Sequence, residues 1–234
     1  MTTPEPQLPP ALRLLWEPDT VDRRSRGLTR EAIISAAIEV ADADGLGALS
    51  MARIAERLGC GTMSLYRYVT SKDDLVTFML STAPGPPPST PVDANWHVAL
   101  HNWAIELWNV YHRHPWILHT GTSGPPADPG QLAWLDAGLA ALADTGLSER
   151  EKFSAVIAVL HFVRGAAALA IDAQQNESTH YPALLRQVVT PAQFPALAAA
   201  LQGGVFDEYS ESPLADLEAG LAQLLDGIVA RITP

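Results

Sequence analysis

A single cysteine, Cys60, occurs in 234 residues. One thiol excludes an internal disulfide and any cysteine-clustered metal site, and its position between Gly59 and Gly61 marks it as a small turn residue. The sequence shows no apolar run approaching the roughly 18 to 20 residues that cross a bilayer. Its opening MTTPEPQLPP has neither the cationic start nor the apolar core of a secretory signal. The expectation is a cytoplasmic protein with no membrane partner. Strand-like alternation is missing throughout and no internal repeat occurs, so the expected fold class is all-α. Basic charge is also scarce, with 15 Lys plus Arg against 26 Asp plus Glu and a net charge of −11. Such a balance opposes phosphate binding unless the positive groups are clustered. The charge is in fact uneven: through Thr82 nine basic residues meet eleven acidic ones, and the remainder has six against fifteen. Arg23, Arg24, Arg26 and Arg30 form a local basic run free of acidic residues.

Residues 1–27 are rich in proline and charge, show no helical period, and read as a flexible arm. Residues 28–82 carry four helical segments. The first, 29–44, places Ile33, Ala37, Val40 and Ala41 at helical spacing, with Thr29 as cap and Gly45 as terminator. Short helices follow at 50–58 and about 62–68, and another starts at Ser71. The segment 83–91, APGPPPSTP, reads as an extended connector. The remaining part, 92–234, carries expected helices at 92–113, 130–144, 148–175, about 192–201 and 213–232, with an irregular stretch between His114 and Pro129.

The segment SMARIAERLGCGTMSLYRYV, residues 50–69, has the requirements of a helix-turn-helix. Two short helices crossing steeply need a small side chain at their closest approach, which Ala55 supplies, and a turn residue tolerant of positive φ, which Gly59 supplies. Ile54, Leu58, Leu65 and Val69 close the miniature core. Ser50 and Thr62 can each cap a helix start. Thr62, Met63, Ser64, Tyr66, Arg67 and Tyr68 are then left to face a DNA groove. A guanidinium at Arg67 suits guanine, Thr62 and Met63 suit thymine methyls, and the tyrosine hydroxyls suit phosphates. Ser50 and Arg53 on the preceding helix, and Arg26 from the basic arm, complete the expected DNA-facing set. An ordinary helical hairpin explains the aromatic packing but not the coincidence of small residue, turn glycine, caps and polar face.

The stretch LSMARIAERLGCGTMSLYRYVTSKDDL resembles the DNA-binding domain of TetR-family regulators. The resemblance implies that Tyr66 and Lys72 engage phosphate, making Lys72 the expected phosphate contact. It also implies an N-terminal three-helix helix-turn-helix module followed by a larger helical ligand-binding and dimerisation domain. The tetracycline repressors place an arginine where this chain has Ala52, with Arg53 beside it, so their operator preference does not transfer.

In the C-terminal part, Leu214, Leu217, Leu221, Leu224, Leu225, Ile228 and Ile232 form one stripe of the final helix. The long helix before it is apolar on two sides, with Phe153, Ile157, Leu160, Arg164 and Ile171 on one and Phe162 and Leu169 on the other. The TetR resemblance implies that these two helices pair with their symmetry mates, making a homodimer that reads a near-palindromic operator. Trp96, Trp103, Trp108, Trp116, Trp134, Phe153, His161 and Phe162 are candidate walls of a pocket for an apolar or planar small molecule. A closer likeness to tetracycline repressors runs from His119-Thr-Gly-Thr122 to His161-Phe162 and Gly165. It implies effector contacts at His119 and Thr122 and a polar partner near His101 or Asn102. The glutamate that assists magnesium in those repressors falls at Leu169, so neither tetracycline nor its metal transfers. His97 and His101 alone have helical i, i+4 ligand spacing, and no glutamate stands beside them, so no metal or other cofactor is expected. No nucleophile-base pairing or phosphate loop points to catalysis. The competing readings are an architectural DNA-binding protein without an effector, and an enzyme using the C-terminal cavity.

Overall fold

The computed structural model describes residues 8–17, 28–89, 94–120, 127–175, 181–205 and 213–232. Every regular element among them is helical, as expected. In chain order these are α1 (Pro10–Trp16), α2 (Arg30–Asp44), α3 (Met51–Arg57), α4 (Thr62–Leu65), α5 (Lys72–Thr82), α6 (Trp96–Arg113), α7 (Pro129–Ala140), α8 (Glu149–Gln175), α9 (Tyr181–Val188), α10 (Pro195–Gln202) and α11 (Pro213–Ile232). Single 3₁₀ turns at Leu46–Ala48 and Pro115–His119 follow α2 and α6. The chain divides into two compact units, Met1–Asp144 and Thr145–Pro234.

The first unit is built around α2. Its buried face, Ile33, Ile34, Ala36, Ala37, Val40 and Ala41, packs on α5 and α3. Around α2, three helix starts are fixed by hydroxyl caps, Thr29, Ser50 and Ser71 accepting from the N–H groups of Ala32, Arg53 and Asp74, and Asn95 and Asp128 cap α6 and α7 in the same way. Each satisfies a backbone donor that the first helical turn cannot. Gly45 ends α2 at φ 77°, a conformation that a Cβ disfavours.

Helix α1 departs from the expectation of a flexible arm over its span. Pro10 at the first helical position presets φ, and the helix packs on α5 with Ala11 buried. Seven residues do not make a stable helix alone, so the packing sustains it. The proline-rich flanks hide the short LRLLW period from a sequence reading. The arginines 23, 24 and 26 lie outside the described residues. Arg30, the last of the basic run, turns inward: its guanidinium lies 5.7 Å from the Phe78 ring centroid, and Nη1 donates to the Leu14 carbonyl at 3.4 Å.

After α5 the chain makes a turn at Gly85, φ 66°, and continues without helix to Ser89. α7 crosses the end of α5 at backbone contact. A Cβ on Gly130 would lie 1.9 Å from the carbonyl oxygen of Ser81, so only glycine permits this approach.

In the second unit α8 packs on α11. Leu217, Leu221, Leu225 and Ile228 of α11 are buried, as the stripe predicts. The buried line of α8 is Val156, Val159, Val163, Ala167, Ala170 and Ile171, while Phe153 and Leu169 are exposed. Of the residues named on its two apolar sides only Ile171 is fully buried, and the buried line is otherwise made of Val and Ala. α8 also corrects the expectation about long apolar runs: Glu149–Gln174 is long and apolar enough to span a membrane by length and composition alone. Gly220 lies under the Phe162 ring, where a Cβ would come within 2.3 Å of the ring tip. The sequence pattern gives no forewarning of helix α9.

Candidate nucleic-acid interface and its attachments

The turn between α3 and α4 is a Schellman closure. The Cys60 N–H donates to the Ala55 carbonyl at 2.9 Å and the Gly59 N–H to the Glu56 carbonyl at 3.1 Å, with Gly59 at φ 63°. Ile54, Ala55, Leu65 and Val69 are buried beneath it. Leu58, expected in the same core, is half-buried. One local expectation shifts by a residue: Gly61 occupies the cap position of α4 and Thr62 is the first helical residue, so its hydroxyl makes no cap. The helix is also shorter than expected. Residues 66–68 continue as a turn, held by N–H bonds from Tyr68 and Val69 to the Leu65 carbonyl.

With Leu65 and Val69 facing inward, the outward set is defined. Met63 is 79% exposed and Tyr66 46%, and Arg67 and Lys72 are exposed. Thr62, Ser64 and Tyr68 are half-buried at the margin. The surface offers an apolar tip, hydroxyls, a guanidinium and an ammonium on one small module, the mixture that base edges and phosphates require. Ser50 is exposed while its Oγ caps α3. Arg53 is ion-paired to Asp44 at 2.5 Å, and Arg57 to Glu39, its Nε donating at 2.9 Å. Exposed pairs of this kind are worth about 0–1 kcal/mol, so a phosphate can displace Asp44 from Arg53 at small cost. Arg26 lies outside the described residues.

Behind this face, four indole groups and a carboxylate fix neighbouring elements. Asp42 Oδ1 on α2 accepts from Trp116 Nε1 at 2.7 Å and meets His114 Nδ1 at 2.8 Å. Trp134 Nε1 donates to the Gly85 carbonyl at 2.9 Å, and Trp103 Nε1 to the Trp134 carbonyl at 2.9 Å. Trp16 Nε1 donates to the Ala127 carbonyl at 3.0 Å, and the Gly130 N–H to Ser81 Oγ at 3.2 Å. Trp103, Trp116 and Trp134, named in the sequence as pocket walls, are thus buried side chains with their polar tips already satisfied inside the protein. Of the other expected effector contacts in this unit, Trp96 and His101 are half-buried and Asn102 and His119 are exposed. Thr122 lies outside the described residues. His161 is exposed on α8, and Phe162 is half-buried over Gly220. Sequence reasoning missed Asp42, Ser81 and Trp16, whose partners lie 49 to 111 residues away. Local patterns carry no signal at that distance.

Two family models match this chain: "Bacterial regulatory proteins, tetR family" over residues 33–77, and "Tetracyclin repressor-like, C-terminal domain" over residues 88–232. The chain belongs to the tetR family of regulators. Among curated relatives, the HTH-type transcriptional repressor DrrR1 of Streptomyces coeruleorubidus is 36% identical, the match covering 93% of this chain and 84% of that protein. The tetracycline repressor protein class C of Escherichia coli is 31% identical over 86% of this chain and 90% of its own length. A solved TetR from Streptomyces coelicolor superposes with a TM-score of 0.70 at 25% identity, covering 87% of this chain and 99% of that one. As a tetR-family regulator the protein is a DNA-binding transcription factor, and α3 and α4 are its helix-turn-helix.

Proposed function

We propose that this chain is a homodimeric repressor that reads a near-palindromic operator through residues 62–72 and releases it when a small molecule occupies the C-terminal part. The observation that carries the reading is the outward set of Met63, Tyr66, Arg67 and Lys72 above the buried Ile54, Leu65 and Val69. Arg67 reads a base edge. Lys72, Tyr66 and Ser50 hold phosphates, and Arg53 joins them by exchanging Asp44 for the backbone. Thr62, Met63, Ser64 and Tyr68 shape the groove contact, and Arg26 adds positive charge from the arm. Dimerisation is supported by apolar side chains exposed on a single copy of the second unit: Phe153 and Leu169 on α8, and Leu214 and Val229 on α11. Release by a small molecule is supported by the likeness to a protein named as a tetracycline repressor. The effector is of another kind here, because Leu169 stands at the place of the metal-assisting glutamate. Within the first unit its candidate contacts are Trp96, His101, Asn102 and His119. Such a protein works in the cytoplasm and has no catalytic step.

The test is retention of a genomic fragment library at near-physiological salt, with sequencing of what is held. Enrichment of one palindrome is expected, and it provides the probe for an effector screen by release. Retention of all fragments alike would instead support the architectural reading.

A further inference from the structure

After α5 no helix continues through residues 83–89, so no continuous rod holds the reading module to the rest of its unit. It is held by lateral attachments, and α1 is placed among them. It packs on α5, the last helix of the module, and the carbonyl of Leu14 accepts from Arg30, the first residue of α2. At its far end Trp16 Nε1 donates to the carbonyl of Ala127. That residue immediately precedes Asp128, a carboxylate 2% exposed that caps α7 by accepting from the Gln131 N–H at 2.9 Å. Two positions further, Gly130 lies against Ser81 with no room for a Cβ. One short helix therefore touches the module at α2 and α5 and grips the start of α7 across the proline-rich joint.

We propose that α1 is a strap that holds the DNA-reading module in one orientation against α7, and that Trp16 is its positioning residue. The role follows from geometry. Without the indole bond, the module keeps Gly130–Ser81 and Trp134–Gly85 near the end of α5 and Asp42–Trp116 on α2, while the start of α7 loses its tie to α1 and gains freedom to rock against the module. In a dimer, rocking of each module broadens the separation of the two reading helices, so the strap sharpens the half-site spacing the protein accepts. This rests on the dimeric operator reading given above.

Trp16→Phe keeps an aromatic ring and removes the donor. Amide exchange of the variant, followed on the full chain, is expected to accelerate about three- to tenfold over residues 127–135, the scale of one missing hydrogen bond, with α8 and α11 unchanged. The second readout uses duplexes carrying the palindrome retained from the genomic library, with the centre lengthened or shortened by about one base pair. The parent is expected to discriminate against the altered spacings. Trp16→Phe is expected to lose at least about threefold of that discrimination while binding the best spacing within about twofold of the parent, a change that simple loss of stability does not produce. A variant with unaltered exchange, or with the parent's spacing preference, overturns the strap. A parent indifferent to spacing overturns the dimeric reading and the strap's role in it, while the exchange result still shows whether the Trp16 bond restrains α7.

Discussion

Buried indole nitrogens have to find acceptors, and in this protein they find them far away in sequence. Trp103, Trp116 and Trp134 each spend their N–H on the protein, two on backbone carbonyls and one on Asp42. Their sizes mark them as pocket candidates in the sequence, and their partners are what no local pattern reveals. The same applies to Gly130. It sits near the start of a helix after proline, an unremarkable place, yet its missing Cβ is what lets α7 reach Ser81. Gly130→Ala places a methyl 1.9 Å from a backbone oxygen, which no side-chain rotation relieves. Overpacking of this kind costs about 1–3 kcal/mol. The thermal midpoint measured by circular dichroism is expected to fall by several degrees, about 2–4 °C for each kcal/mol in a chain of this size. An unchanged midpoint would mean that α5 and α7 do not approach this closely. By contrast Gly59 is legible at once, because a turn of that length between two apolar-spaced helices requires a positive φ.

At the scale of the element, caps are the most readable feature. Thr29 and Ser50 accept the bonds expected of hydroxyls preceding apolar periodicity, and Ser71 does the same at the start of α5. Thr62 does not, because Gly61 can cap as readily and the chain begins its helix one residue later. α1 is not legible because its proline-rich flanks hide a period of two turns, and α9 gives the sequence reading no signal. α8 is found by its length, and because nearly every side of it is apolar only packing selects the buried line.

The start of α8 also carries a pH-dependent device. Both the Ser148 N–H, at 2.9 Å, and its Oγ, at 2.6 Å, donate to Glu151 Oε2, and these bonds hold the Glu151 carboxyl below its ordinary value. A carboxylate with a lowered folded-state pKa stabilises the fold above the unfolded value and loses that contribution as pH falls through the folded one. Ser148→Ala is therefore expected to lower the thermal midpoint slightly at pH 7, as followed by circular dichroism. The gap to the parent should narrow as the pH drops through and below the ordinary carboxylate range. A gap constant with pH would contradict the hold of Ser148 on the Glu151 carboxylate.

For the whole molecule, the all-α architecture and the reading motif are legible in the sequence. How the parts are attached is not. A net charge of −11 on a DNA-binding protein is reconciled by its distribution: Arg67 and Lys72 stand exposed on one module, and the acidic excess falls mainly beyond Thr82. Lys72 and Arg67 are expected to contribute in different ways, and that difference tests the account most directly. Affinities of the parent, Arg67→Ala and Lys72→Ala should be measured across salt concentrations on the retained palindrome, its single-base variants and a scrambled duplex. Arg67→Ala is expected to lose about 1–3 kcal/mol on the palindrome and to relax discrimination at one base position in each half-site. Lys72→Ala is expected to weaken all duplexes alike and to reduce the salt slope by about 1 for each phosphate that loses its ammonium partner. Equal losses for both variants on specific and scrambled DNA alike would contradict sequence readout by this face.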